Sequence, residues 1–248
     1  TYSRRDERVE IHEDPAEEAD ATPFQRMTTD RLSTTGNMSF GSSRLEVDLG
    51  WERNDRREFE SVGAEADGEL ELGLVAATIT GNVHLHHATS ARMAGVIGVQ
   101  GMRTEVTTSG EETLVPESRT TNLAAYAFEQ LDLGRVQLSL GARIDRRTPV
   151  HEESEPLGLV AGERDWTAFS GNAGVLYRVA GPAALVLNVG RGFRAPSAYE
   201  LFADGVHEGT IRYEVGNPEL ETERALNTDL ALRLASRELQ AEVGVFVN

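Results

Sequence analysis

Six histidines are the side chains in this sequence best suited to hold a borderline metal ion, and several stand beside carboxylates. His12 opens His12-Glu13-Asp14 within an acidic run from Glu10 to Asp20, His151 precedes Glu152, and His207 precedes Glu208. Imidazole nitrogen with carboxylate oxygen is a donor set for Zn2+ or another divalent transition ion. None of these groups has the fixed spacing of a helical metal motif, so an acidic solvated loop is the plainer reading of each. A different arrangement occurs in Val83-His84-Leu85-His86-His87. His84 and His86 are two residues apart, which in a strand places both on the face opposite Val83 and Leu85. There they could pass an ion onward, or be hydrogen-bonded to water or to neighbouring polar groups.

Other chemistries are excluded by composition. The chain has no cysteine, which removes disulfides, thiolate catalysis and Cys-type zinc or iron-sulfur sites. It contains no Gly-x-Ser-x-Gly, P-loop, dinucleotide fingerprint or His-Glu-x-x-His, and the spacing of its acidic residues singles out no glycosidase-like pair. An enzyme is not expected, and neither is a permanently bound cofactor. With 41 acidic residues against 24 basic ones, every one of them Arg, the net charge of -17 also argues against a nucleic-acid partner.

The elements that would position these residues read as strands. Hydrophobic residues make up 39% of the 248, and no apolar run approaches the roughly 18 to 20 residues of a spanning helix. The dominant period is two. From Arg44 to Trp51 the apolar set is Leu45, Val47, Leu49 and Trp51, opposed by Arg44, Glu46 and Asp48. Comparable alternation runs through Arg135 to Asp145, Glu223 to Leu234 and the closing stretch from Leu239. Weaker candidates are Thr28 to Phe40, Glu69 to His86, Arg92 to Met102, Thr121 to Leu131, Trp166 to Arg178 and Ala184 to Arg194. In Thr121 to Leu131 both parities carry apolar residues. In the last of these strands the alternation falters at Arg191, where a bulge among Gly190 and Gly192 is expected.

About ten strands of roughly ten residues result, the length a tilted strand needs to cross a bilayer. The connections alternate in length. Gly41 to Ser43, His87 to Ala91, Asp132 to Gly134, Val179 to Ala183 and Ala235 to Arg237 are short, whereas Glu52 to Gly68, Arg103 to Thr120, Arg146 to Asp165 and Ala195 to Thr222 are long and polar. Short turns on one side and long loops on the other are expected of an outer-membrane barrel, with the loops outside the cell and the turns in the periplasm. A soluble β-sandwich or lipocalin-like barrel acting as a binding module is the alternative, and a passive porin is another.

Two linked segments carry a resemblance. Asn188-Val-Gly-Arg-Gly-Phe-Arg194-Ala195-Pro196-Ser-Ala-Tyr-Glu200-Leu-Phe202 resembles the segment of TonB-dependent outer-membrane receptors in which a strand ending in an aromatic and a basic residue meets Ala-Pro and a Glu-Leu-aromatic stretch. Gly216-Asn217-Pro218-Glu-Leu-Glu-Thr-Glu223-Arg-Ala-Leu-Asn227 is similar to the same family's Asn-Pro-x-Leu-x-x-Glu segment. Gly110-Glu-Glu-Thr-Leu-Val-Pro116, followed by Thr121 to Glu129, is similar to the zinc-uptake branch of the family.

The resemblance implies an all-β antiparallel transmembrane barrel of roughly twenty-two strands closed around a plug, of which this chain would be an incomplete part. No segment resembling a plug or a TonB box is recognisable, so residues 1–248 read as a partial barrel domain, with 1–27 an extracellular loop or strand remnant. The implied function is capture and import of a scarce ligand, a metal ion such as zinc or a ferric siderophore, haem or cobalamin. The implied partners are outer-membrane lipid and, through the missing plug, TonB. His12, Glu13, Asp14, His151, Glu152, His207 and Glu208 would lie in capture loops, and His84 and His86 on the lumen wall. Arg194 ends one strand and Glu223 begins the next, so an ion pair near one rim is expected.

Overall fold

In the computed structural model the described residues are 1–10, 24–59, 69–111, 113–207 and 212–248. They form one large antiparallel sheet. Its strands are β1 (Tyr2–Glu10), β2 (Phe24–Phe40), β3 (Ser43–Phe59), β4 (Leu70–Ser90), β5 (Met93–Ser109), β6 (Ser118–Asp132), β7 (Val136–His151), β8 (Gly162–Glu163), β9 (Trp166–Ala180) and β10 (Ala183–Arg194). A short helix α1 (Ala198–Phe202) and a separate hairpin of β11 (Asp204–His207) and β12 (Arg212–Val215) follow, and β13 (Glu223–Ala235) and β14 (Gln240–Val247) complete the large sheet. Its long strands lie beside their sequence neighbours, β7 next to β9 and β10 next to β13, with β8 pairing on β7. β1 and β14 are the two edges. No helix among the described residues is long and apolar enough to cross a membrane.

The register turns the alternation of single strands into two continuous faces. Leu45, Leu85, Ile97, Ala127 and Ala142 stand in one row across β3 to β7, and Trp51 pairs with Leu32 on one side and Ile79 on the other. At the far end Val175, Leu187, Leu230 and Val245 continue the same face. These apolar side chains are exposed, Leu187 at 40% and Val245 at 69%. A contiguous exposed apolar face of this extent needs a covering phase or partner. The opposite face carries Glu46, His84, Tyr126 and Arg143 in one row and Asp48, Gln100 and Asp145 in another.

Several strands are longer than the sequence pattern indicates. β3 runs 17 residues and β4 runs 21, against the roughly nine to eleven needed to cross a bilayer. The reason is visible on the apolar face itself, where Trp51 is followed by Arg53, Asp55 and Arg57. The strand continues past the apolar belt as a charged collar in which Arg53 and Arg57 both pair with Asp55, at 3.0 and 2.9 Å. Charged alternation gives no hydrophobic period, so pattern reading stops where the belt stops. β1 is invisible for the same cause: Arg4, Asp6 and Arg8 share one of its faces, and its place comes from nine backbone pairs with β2.

The bulge expected among Gly190 and Gly192 is absent. β10 keeps a regular register with β13 from Ala183 to Arg194, and the shift on its β9 side falls at Ala183/Ala184 beside the turn. The alternation falters because Arg191 stands on the apolar face opposite Leu226, close to the loop-side end of the strand.

Candidate functional site

The segments between β10 and β13 build an ordered rim at the loop-side end. Pro196 has no backbone donor and ends the ladder after Arg194. Ser197 then caps α1: its hydroxyl accepts from the Glu200 N–H at 3.2 Å, while the Glu200 carboxylate accepts from the Ser197 N–H and hydroxyl, both at 2.9 Å. That reciprocal pair is a capping box. Arg194 reaches Glu200 at 2.8 Å and Glu223 at 2.7 Å, tying strand end, helix and next strand start with one guanidinium. The Ser197 backbone N–H, the Arg194 guanidinium and the Ser197 hydroxyl hold the Glu200 carboxyl down to about 2. Arg194 lowers Glu223 as well, and both acids raise Arg194 above its ordinary value.

Both carboxyls are therefore depressed in the folded rim. Their contribution is complete above the ordinary carboxylate range near pH 4.3 and is lost as pH falls toward about 2. Amide exchange in residues 195–202, corrected for its intrinsic pH dependence, should quicken within that interval while exchange in the middle of β10 stays slow.

Beneath this rim lies a small apolar core of Leu72, Leu114, Val115 and Ala203, with Leu74 and Tyr199 packed against it. Leu201 and Phe202 of α1 are also buried. The Asp204 N–H donates to the Leu114 carbonyl at 3.2 Å, so residues 113–116 are fastened to the segment after α1. Gly216 permits the closest approach: its N–H donates to the Ala203 carbonyl at 2.6 Å, and a Cβ there would lie 2.6 Å from backbone atoms of Leu201 and Phe202. Asn217 donates its N–H to the Glu200 carbonyl at 2.9 Å, and Arg164 donates to the carbonyl of Pro218.

No group of three metal-binding side chains that includes a loop histidine occurs among the described residues. His151 ends β7, where its ring packs on Phe202 with centroids 4.2 Å apart and its Nδ1 lies 3.3 Å from the Glu152 carbonyl. His207 ends β11. His12, Glu13, Asp14 and Glu208 fall outside the described residues.

The polar face holds the other histidine group. Glu46 pairs with His84 and Asp48 with Asn82 across the β3–β4 ladder, with the short turn at Gly41 only a few residues away. His84 Nε2 is 3.2 Å from Asp48 Oδ2, and His86 Nε2 is 4.0 Å from Glu46 Oε2. Tyr126 reaches over from β6 to hydrogen-bond His84 Nδ1. One donor atom from each of Glu46, Asp48 and His84 can be chosen so that all three lie within 4.8 Å of one another, the one such group of three among the described residues. Sequence reading isolates His84 and His86 but not Glu46 and Asp48, because β3 and β4 are joined by a long connection whose length says nothing about register. His87, on the apolar face, pairs with Glu129 at 2.9 Å.

The fold has counterparts among known proteins. A profile of the TonB dependent receptor-like β-barrel family matches residues 14–248. Among solved structures, the copper transporter OprC superposes with a TM-score of 0.71 at 15% identity, over 92% of this chain and 39% of that one. The FrpB iron transporter of Neisseria meningitidis, F3-3 variant, gives 0.70 at 14% identity over 99% of this chain and 42% of that one. The Serratia marcescens hemophore receptor HasR, solved as a double mutant with HasA and heme, gives 0.69 at 13% identity over 91% and 41%. The chain thus spans about two fifths of the structures it matches. In a barrel of this type the apolar face meets lipid and the polar face lines the lumen. With the fold, the face pattern and the family profile in agreement, the chain belongs to the TonB-dependent receptors of the outer membrane, as part of their β-barrel domain.

Proposed function

We propose that the protein captures a scarce ligand at the cell surface and imports it across the outer membrane with energy delivered by TonB through a plug domain. The observation that carries this reading is the two-faced sheet. An apolar belt on one side and a charged, histidine-bearing wall on the other suit the wall of a barrel around a passage better than a binding groove on a soluble module. The solved relatives are described as transporting copper or iron or receiving a hemophore. Cargo here is read as zinc, another transition-metal ion or an iron complex, held only in transit and not as a resident cofactor. The acidic segment 10–20 favours a free or weakly chelated cation over an anionic ferric siderophore, because a negative field attracts the first and repels the second.

The experiment is uptake of radiolabelled zinc, copper, ferric siderophore and haem by cells carrying the intact receptor, with and without TonB. Accumulation of one cargo that vanishes when TonB is absent is the expected outcome. Accumulation that persists without TonB would instead identify a passive pore.

A further inference from the structure

We infer that Glu46, Asp48, His84 and His86 form a divalent transition-metal site on the lumen wall at the short-turn end of the barrel. The inference deepens the import reading and rests on it for the site's purpose, since it supplies a point where the cation pauses on leaving the passage.

The donor atoms of Glu46, Asp48 and His84 lie within 4.8 Å of one another, close enough to share one ion, and His86, outside that group of three as it stands, joins it by turning further toward Glu46. Two donors each about 2 Å from a metal stand roughly 3 to 4 Å apart. The His84 Nε2 to Asp48 Oδ2 separation of 3.2 Å and the His86 Nε2 to Glu46 Oε2 separation of 4.0 Å lie in that range. His86 Nε2 is buried without a hydrogen-bond partner, so one nitrogen donor of the set is unspent. Two imidazoles with two carboxylates neutralise a dication and suit Zn2+, Ni2+ or Cu2+, whereas Ca2+ and Mg2+ take oxygen ligands throughout.

The surroundings also fit. For His84 to ligate through Nε2 its proton must sit on Nδ1, and the Tyr126 hydroxyl oxygen is there to accept it. Hydrogen bonding of the distal nitrogen is what fixes a metal-binding imidazole in orientation and tautomer. His84, Gly98 and Tyr126 share one row across β4, β5 and β6. A Cβ at Gly98 would stand 2.4 Å from the Tyr126 ring, so the bare backbone of β5 is what lets the tyrosine lean across to the histidine. Arg44 Nη2 lies 3.3 Å from Glu46 Oε2 and would yield that oxygen to the ion, while Arg143, 5.7 Å from the Tyr126 ring centroid, is engaged by Asp145 and by Gln100, each at 2.7 Å.

The test uses the intact receptor purified in detergent and titrated with Zn2+, with the zinc X-ray absorption edge read at saturation. Wild type should show an equivalent of zinc bearing two imidazoles. The His84→Ala, His86→Ala double variant should lose that equivalent while keeping heat-modifiable gel mobility, the mark of a folded barrel. Tyr126→Phe, which keeps every ligand, should weaken that equivalent by about tenfold. Undiminished stoichiometry in the double variant, or an edge with no imidazole change, would overturn the site. The two readings fail separately: binding without cellular zinc uptake removes the import role and leaves the site, whereas zinc uptake by a receptor whose double variant binds zinc unchanged removes the site alone.

Discussion

Replacing Leu187 by Arg is expected to destabilise the folded barrel by about 2–4 kcal/mol, whereas Asn188→Arg, one residue on, should cost less than about 1 kcal/mol. The contrast follows from the register. Leu187 stands between Val175 and Leu230 in the apolar row, with 40% of its surface exposed to whatever covers that face. Asn188 stands between Gly174 and Asp229, on the polar face. An arginine at position 187 must drag its guanidinium through hydrocarbon to reach an interface, while one at 188 enters a polar lumen. Urea unfolding of the intact receptor variants in lipid vesicles, read by tryptophan fluorescence, gives both numbers. Equal effects at the two positions would mean that the faces do not differ in what they meet.

The second large effect is expected at the loop-side end of β3. Glu58 is 1% exposed, ion-paired to Arg56 and hydrogen-bonded by Gln25 Nε2 at 2.8 Å. Arg56→Ala removes the charge that compensates a buried carboxylate, a change that typically costs 3–5 kcal/mol. Because the Arg56 side chain is itself 32% exposed, the loss should be about 3 kcal/mol, at the low end of that range. Adding Glu58→Gln removes the stranded charge, so the double variant should recover most of the stability. The same unfolding assay reads both proteins, and a double variant no more stable than Arg56→Ala would argue that the arginine acts through packing rather than charge.

What was legible in the sequence depended on whether a residue's role was local. The strand from Leu45 to Trp51 announced itself because alternating burial is a local property, and so did the segregation of short turns from long loops. The Arg194–Ala195–Pro196 and Asn217–Pro218 segments were recognisable because a proline-ended ladder leaves a fixed local signature. The collar of Arg53, Asp55 and Arg57 and the charged strand β1 were not recognisable, since their strand state is imposed by pairing rather than by hydrophobic period. The packing of Leu114 and Val115 against the segment after α1 joins pieces almost ninety residues apart. Glu46 and Asp48 were hidden for a related reason. Their parity on β3 was plain, but their meeting with His84 and His86 is a matter of register between strands joined by a long connection.

Odd and even positions of these strands meet different phases, lipid on one side and lumen on the other. Spin labels placed singly from 184 to 190 on β10 of the intact receptor in vesicles test this most directly, by comparing collision with dissolved oxygen and with a polar nickel chelate. An oxygen-accessibility maximum is expected at 185, 187 and 189 and a minimum at 184, 186, 188 and 190, in the phase set by the β9 and β13 pairings. Uniform accessibility along the strand, or the opposite phase, would contradict it.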